Sequence, residues 1–198
     1  MSLQSFISEH LNENIKVFPT HSGKLITESN QTYFLKTGQV SKAFSNEAHG
    51  LLELKKAQAI KIVEPILHGE NFILTEYVEN TRPRSKFFQI FGKEFARMHR
   101  YTADQYGFYE NNYIGATPQI NIPNHEEKHD WIVFYFNKRL LFQYQLAEKN
   151  AYVSKEFKRN FLQLEKNIHR ILKDSEESPS LLHGDLHETE WILSKYAD

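Results

Sequence analysis

The sequence has 198 residues, 40% hydrophobic and 25% charged, with a formal net charge of -1 and no cysteine. That balance can bury a core but offers no basic field for nucleic acid or an anionic membrane, and it excludes disulfides, thiolate catalysis and cysteine-based zinc sites together. The first residues lack the basic and apolar regions of a signal peptide, and no run approaches the ~20 apolar residues of a membrane span, so a cytoplasmic protein without membrane partners is expected.

In chain order, Phe6, Ile7 and Leu11 share one side of a short amphipathic helix. The stretch KLITESNQTYFLKTG, Lys24 to Gly38, predicts two strands around a turn at Ser29-Asn30-Gln31, with Tyr33 and Leu35 alternating against Phe34 and Lys36. From Ser41 the period changes. Phe44, Ala48, Leu51 and Leu52 predict a helix reaching about Lys56, and IVEPILHGENFILTEYV then reads as a hairpin around His68 to Asn71. Three helices are predicted beyond it. The first has Ser85 as N-cap and the stripe Phe87, Ile90, Phe91, Phe95 and Met98; the second runs from about Glu126 to Lys149; the third is capped by Ser154 and carries Phe157, Phe161, Leu164, Ile168 and Ile171 in phase. Strands with one helix come first and helices follow, with a boundary near Tyr77 to Pro83. Such segregation predicts an α+β protein of two lobes.

Phosphoryl transfer needs a carboxylate that orients the attacking hydroxyl, and Asp185 in the only His-Gly-Asp of the chain fits that task. It also needs a cation for the nucleotide phosphates. Lys36 ends a strand, and Glu47 lies on the helix that follows, the order in which kinases pair a strand lysine with a helix glutamate. A different chemistry is offered by His125-Glu126-x-x-His129, whose spacing on a helix would set two imidazoles on one face for zinc and suggest a hydrolase. Pro123 lies two residues upstream, so that motif falls at a helix start in charged surroundings. His183 and His187 share the same spacing, but Gly184 opposes a helix there.

The stretch YGFYENNYIGATPQIN, Tyr106 to Asn121, followed by DWIVFYFNKRLLFQYQLA, closely resembles the fructosamine kinase (ketosamine-3-kinase) family. FLKTG, NEAHGLLEL, FILTEYV, FGKEFARMHR and SLLHGDL agree with it in the same order, so the resemblance spans about Thr32 to Leu186. It implies a two-lobed protein-kinase-like fold, with a β-rich nucleotide-binding lobe over residues 1–79 and a helical lobe over residues 80–198 that is incomplete after the catalytic loop. It implies ATP-dependent phosphorylation of a sugar hydroxyl on a glycated amine. By motif position, Lys36 would hold the phosphates, Glu47 would pair with it, Thr75, Glu76, Tyr77 and Val78 would form the adenine hinge, and Asp185 would be the base.

The chain departs from the family pattern in two places. Glu190 stands where the family carries a magnesium-binding asparagine, making it the expected Mg²⁺ ligand while adding negative charge beside Asp185. The following strand, with its metal-gripping aspartate, has no counterpart before Asp198. Weak or absent turnover is therefore expected of these 198 residues, and a pseudokinase that only binds nucleotide or ligand is the alternative. Apolar stripes around Trp131 and Phe161 would then need a second copy or a partner to cover them.

Overall fold

The computed structural model describes residues 1–39, 41–79, 85–184 and 186. The described chain forms two compact units, one comprising Met1–Arg100 with the segment that begins at Leu182, the other Tyr101–Leu181.

The first unit is a five-stranded antiparallel sheet carrying helices on both faces. Its strands are β1 (Ile15–Val17), β2 (Gly23–Thr27), β3 (Thr32–Thr37), β4 (Pro65–His68) and β5 (Phe72–Glu76), in spatial order β1-β2-β3-β5-β4. The turn between β2 and β3 places Asn30 at φ 66°, a left-handed conformation that asparagine tolerates better than most residues. Alternation along β2, β3 and β5 sends Leu25, Leu35, Phe72 and Leu74 to one face, where Ile7 of α1 (Leu3–Leu11) completes a buried cluster. Ser2 caps α1 by accepting from the Ser5 N–H, and Asn12 closes it in the left-handed region. The opposite face buries Ile73 against Phe44 and Ala48 of α2 (Ala43–Lys56). Full burial of each such aliphatic side chain contributes about 1.5–3 kcal/mol. The sheet therefore specifies its own register, because a one-residue slip of β3 would exchange Leu35 for Lys36 in the core.

Helix α3 (Phe87–Met98) begins two residues later than its predicted cap. Lys86 occupies the N-cap position at φ -104° and ψ 3° with no side-chain cap, and Ser85 lies in the preceding turn. Phe87, Phe91 and Phe95 stack at successive turns, with ring centroids 5.7 Å apart at each step.

The second unit holds the hairpin β6 (Asn112–Ile114) and β7 (Thr117–Gln119), α4 (Trp131–Tyr135), a π-helical turn over Phe136–Leu141, α5 (Phe142–Lys149) and α6 (Lys155–Ile171). Its core is Phe136, Phe161 and Ile168, with Tyr144 stacked 4.0 Å from Phe161. Ser154 caps α6 by accepting from the Phe157 N–H, as its spacing predicts. The helix predicted from Glu126 instead starts at Trp131. Asp130 is extended and accepts from the Val133 N–H at 2.9 Å, so it takes the capping role. The residues before it close a separate turn, in which Asn124 Oδ1 accepts from the Glu127 N–H and Glu127 Oε2 accepts from the Asn124 N–H.

Among the described residues no helix is long and apolar enough to cross a membrane.

Candidate functional site

Strand β3 and helix α2 bring two of the predicted residues together. Lys36 Nζ donates to Glu47 Oε2 at 2.8 Å. The side chains are 48% and 38% exposed, so the pair adds at most about 1 kcal/mol to stability. Its value is geometric: it holds an ammonium at a defined place on the side of the sheet that α2 packs against. The hinge residues lie on the neighbouring strand. Lys36 pairs in register with Ile73 and Phe34 with Thr75, so Lys36, Phe34 and Thr75 belong to one face. Thr75 and Glu76 end β5, and Tyr77 and Val78 follow it. The Glu76 N–H donates to the Glu64 carbonyl at 2.9 Å, while the Glu76 carboxylate accepts from the Glu64 N–H. That exchange fixes the end of β5 and sets where the chain leaves the sheet. Phe34 and Tyr77 are 39% and 36% exposed, which leaves aromatic surface open beside the Lys36–Glu47 pair. The loop before β2 is anchored by Ser22, whose hydroxyl accepts from the Thr37 N–H at 2.9 Å.

Asp185 and Glu190 lie outside the described residues. His125 and His129 do not share a helical face. They lie in the turns before Asp130, with the His129 N–H donating to the Glu126 carbonyl, so the geometry that would present two imidazoles to zinc does not form. Among the described residues no three His, Asp or Glu side chains gather as a metal site. His129 borders an open cleft of about 380 Å³ shared with Asp104, Tyr106, Lys128, Glu176 and Glu177.

The second unit contains a polar network that sequence reasoning missed. Arg139, on the π-helical turn, donates to the Ile120 carbonyl and to Asn121 Oδ1, both at 2.8 Å. Asn121 passes its own amide protons to Asn112 Oδ1 and to the Glu110 carbonyl, and its N–H to Asn111 Oδ1. One arginine therefore pins the β6–β7 hairpin and the segment after it. The π-turn makes this possible, since an extra residue in the turn re-aims the side chains that follow. A buried ion pair lies beside it. Glu127, only 2% exposed, meets Lys138 Nζ at 3.1 Å and accepts from Asn137 Nδ2 at 3.0 Å. Burial alone would raise the Glu127 pKa, but the Asn124 N–H, the Asn137 amide and Lys138 outweigh it and hold the carboxyl below its ordinary value.

A lowered carboxyl pKa means that the unfolded chain binds more protons than the folded one, so this group favours folding above its ordinary value of about 4.3. The contribution is lost as pH falls through the folded-state value. Urea unfolding at pH 7 and at pH 3 is expected to show a falling midpoint for the wild type. Glu127→Gln is expected to cost about 2 kcal/mol at pH 7, because an amide cannot accept from all three donors, and to flatten the acid dependence. An equal acid slope in the variant would show that Glu127 does not carry it.

A family model for fructosamine kinase matches residues 3–196. The probable ketoamine kinase of Enterococcus faecium is 30% identical over 197 residues, covering 94% of this chain and 68% of that protein. The chloroplastic protein-ribulosamine 3-kinase of Oryza sativa subsp. indica is 33% identical over 164 residues, covering 78% of this chain and 46% of its own length. The chain thus spans between about half and two thirds of these curated relatives. The crystal structure of a candidate fructosamine-3-kinase from Haemophilus somnus superposes with a TM-score of 0.78 at 22% identity, covering 98% of this chain and 68% of that one, which shows the same α+β, protein-kinase-like fold. The open lysine–glutamate pair of β3 and α2, the hairpin strand beside it and a match along almost every residue have one common meaning: the chain belongs to the fructosamine kinase family.

Proposed function

We propose that the chain takes part in ATP-dependent phosphorylation of a sugar hydroxyl on a glycated amine, a ketosamine. The observation that carries this reading is the 2.8 Å contact between Lys36 and Glu47, set on the same sheet face as Phe34 and Thr75. A kinase uses such a pair to fix an ammonium against the nucleotide phosphates. The exposed rings of Phe34 and Tyr77 suit a flat purine, and the Glu76 N–H is already committed to Glu64, so hinge contacts with the base edge fall to Tyr77 and Val78. ATP supplies the transferred phosphoryl group. Lys36 holds its phosphates, Glu47 orients Lys36, and Asp185 orients the sugar hydroxyl and accepts its proton. Glu190 is the residue assigned to Mg²⁺, by an oxygen donor chemistry that suits a hard cation. A cytoplasmic location fits the ordinary net charge of -1 and the absence of cysteine. Exposed Phe157, Leu162 and Ile171 on α6 support a second copy or a partner covering that helix.

The test combines calorimetric titration of ATP with ADP release in the presence of fructoselysine. The chain is expected to bind ATP, to release ADP only weakly but in a ketosamine-dependent way, and to lose affinity at least about tenfold in Lys36→Met. Binding without ketosamine-dependent ADP release would favour the pseudokinase. Absence of nucleotide binding would sink the proposal.

A further inference from the structure

Strand register places a second lysine on the face that carries Lys36. Lys24 of β2 is the cross-strand partner of Phe34, and Phe34 lies two residues before Lys36 on β3, so all three side chains leave the sheet on the same side. The two lysines are held differently. Lys36 is paired with the carboxylate of Glu47 at 2.8 Å, which offsets much of its charge. The ammonium of Lys24 rests over the ring of Tyr77, 4.6 Å from its centroid. A ring face is a soft partner, attractive to a cation but bearing no net charge, and at an exposed position it is weaker than a charge-assisted bond to an anion. A polyphosphate carries several negative charges, and a lysine already satisfied by a glutamate meets that demand poorly by itself.

Geometry gives Lys24 both destinations. Its row across the sheet runs through Phe34 to Thr75, at the hinge end, while the row of Lys36 lies about 6.6 Å further along the strand, two residues at about 3.3 Å each. A four-carbon stem on a strand-fixed backbone can swing its ammonium from one row to the other. The ammonium covers Tyr77, where a base stacking on that ring has to displace it.

We propose that Lys24 is a second phosphate-binding cation of the nucleotide site, held on the ring of Tyr77 when the site is free and transferred to the polyphosphate when a base takes that ring. The inference rests on the nucleotide-binding part of the reading above. It makes Lys24 a specificity-determining residue, because only a phosphorylated nucleoside both displaces the ammonium and gives it a new partner. Adenosine displaces it and offers nothing in return.

The test is calorimetric titration of the full chain with ATP, ADP and adenosine, for the wild type, Lys24→Met and Lys24→Arg. Lys24→Met is expected to weaken ATP and ADP by about tenfold while adenosine binds as well as in the wild type or a few-fold better, because its competitor for the ring is gone. Its ATP affinity should also depend less on salt, since one phosphate contact is gone. Lys24→Arg, which keeps the charge and the ability to sit on a ring, is expected to stay near the wild type. Equal losses for ATP and adenosine, or no loss for either, would overturn the inference while leaving the nucleotide site standing. A wild-type chain that binds none of the three would overturn both. Circular dichroism of Lys24→Met checks that the sheet is intact, and an exposed strand position tolerates methionine well.

Discussion

Gly107→Ala is expected to destabilise the second unit by more than about 3 kcal/mol, seen as a fall of about 10 °C in thermal midpoint for a chain of this size. Gly107 has φ +94°, a region that side chains other than glycine rarely enter. Conformational strain of this kind costs about 1–3 kcal/mol. Space adds to it. A Cβ there would overlap the Asn121 backbone oxygen and stand 2.9 Å from Pro123 Cδ and 3.1 Å from Phe134 Cε2. That oxygen is the acceptor for the Phe108 N–H at 3.0 Å, and Asn121 is the centre of the Arg139 network, so the neighbour cannot move away freely. Two internal controls separate this from a general effect of adding a methyl group. Gly50 in α2 and Gly92 in α3 have nothing within 4 Å of the added Cβ, and alanine there is expected to be neutral or to stabilise by about 0.4–1 kcal/mol. A Gly107→Ala protein with an unchanged midpoint would refute the packing described around residue 107.

Asp185→Asn is expected to reduce ketosamine-dependent ADP release by about a thousandfold, within the range that general-base removal produces, while ATP affinity stays within about threefold. Asparagine keeps the size and can still accept a hydrogen bond, but it cannot take the proton of the sugar hydroxyl. The split is what identifies the role. On the proposed reading, loss of Lys36 should act on nucleotide affinity, since it would hold phosphates in the ground state as well as in the transition state, whereas loss of Asp185 should act on the chemical step. Glu190 provides a companion measurement. Glu190 stands five residues after Asp185, and on the proposed reading its carboxylate would add negative charge where the triphosphate also brings it. Glu190→Asn in the otherwise native chain is expected to raise the rate, and a fall would instead mean that the carboxylate is the preferred Mg²⁺ ligand. Turnover that survives Asp185→Asn would remove Asp185 from the mechanism.

Most of the fold was legible in local patterns. The period-2 alternation of Tyr33 and Leu35 against Phe34 and Lys36 marked a strand, and the i, i+4 spacing of Phe44 and Ala48 marked the helix that covers one face of the sheet. Ser154 announced α6 because a hydroxyl at that position has one dominant use, accepting a free N–H of the first turn. The order of strand lysine, helix glutamate and hairpin carried the kinase reading, the stretch Tyr106 to Asn121 with the DWIVFYFNKRL segment after it carried the family resemblance, and Lys36 does meet Glu47.

What the sequence could not decide was which of several competent side chains would win a place. Ser85 and Asp130 both had capping chemistry; Asp130 caps α4, while α3 begins beyond Ser85 without a side-chain cap. His125 and His129 had zinc spacing, yet Glu127 turned back to Asn124 and Lys138, and the turn it closed removed the helix that spacing requires. The need for glycine at 107 came to light only through Asn121, fourteen residues later, whose backbone oxygen packs against it. Nothing local to Arg139 indicated that it would reach Ile120 and Asn121 from the π-helical turn. Periodicity, capping and motif order are properties of neighbouring residues, so the sequence by itself determined most of the elements and the family, though not the β6–β7 hairpin or the π-helical turn. Burial of Glu127, the close approach at Gly107 and the choice of partner for Lys24 depend on residues distant in the chain, because desolvation and packing act through space. Those were decided only by the tertiary structure.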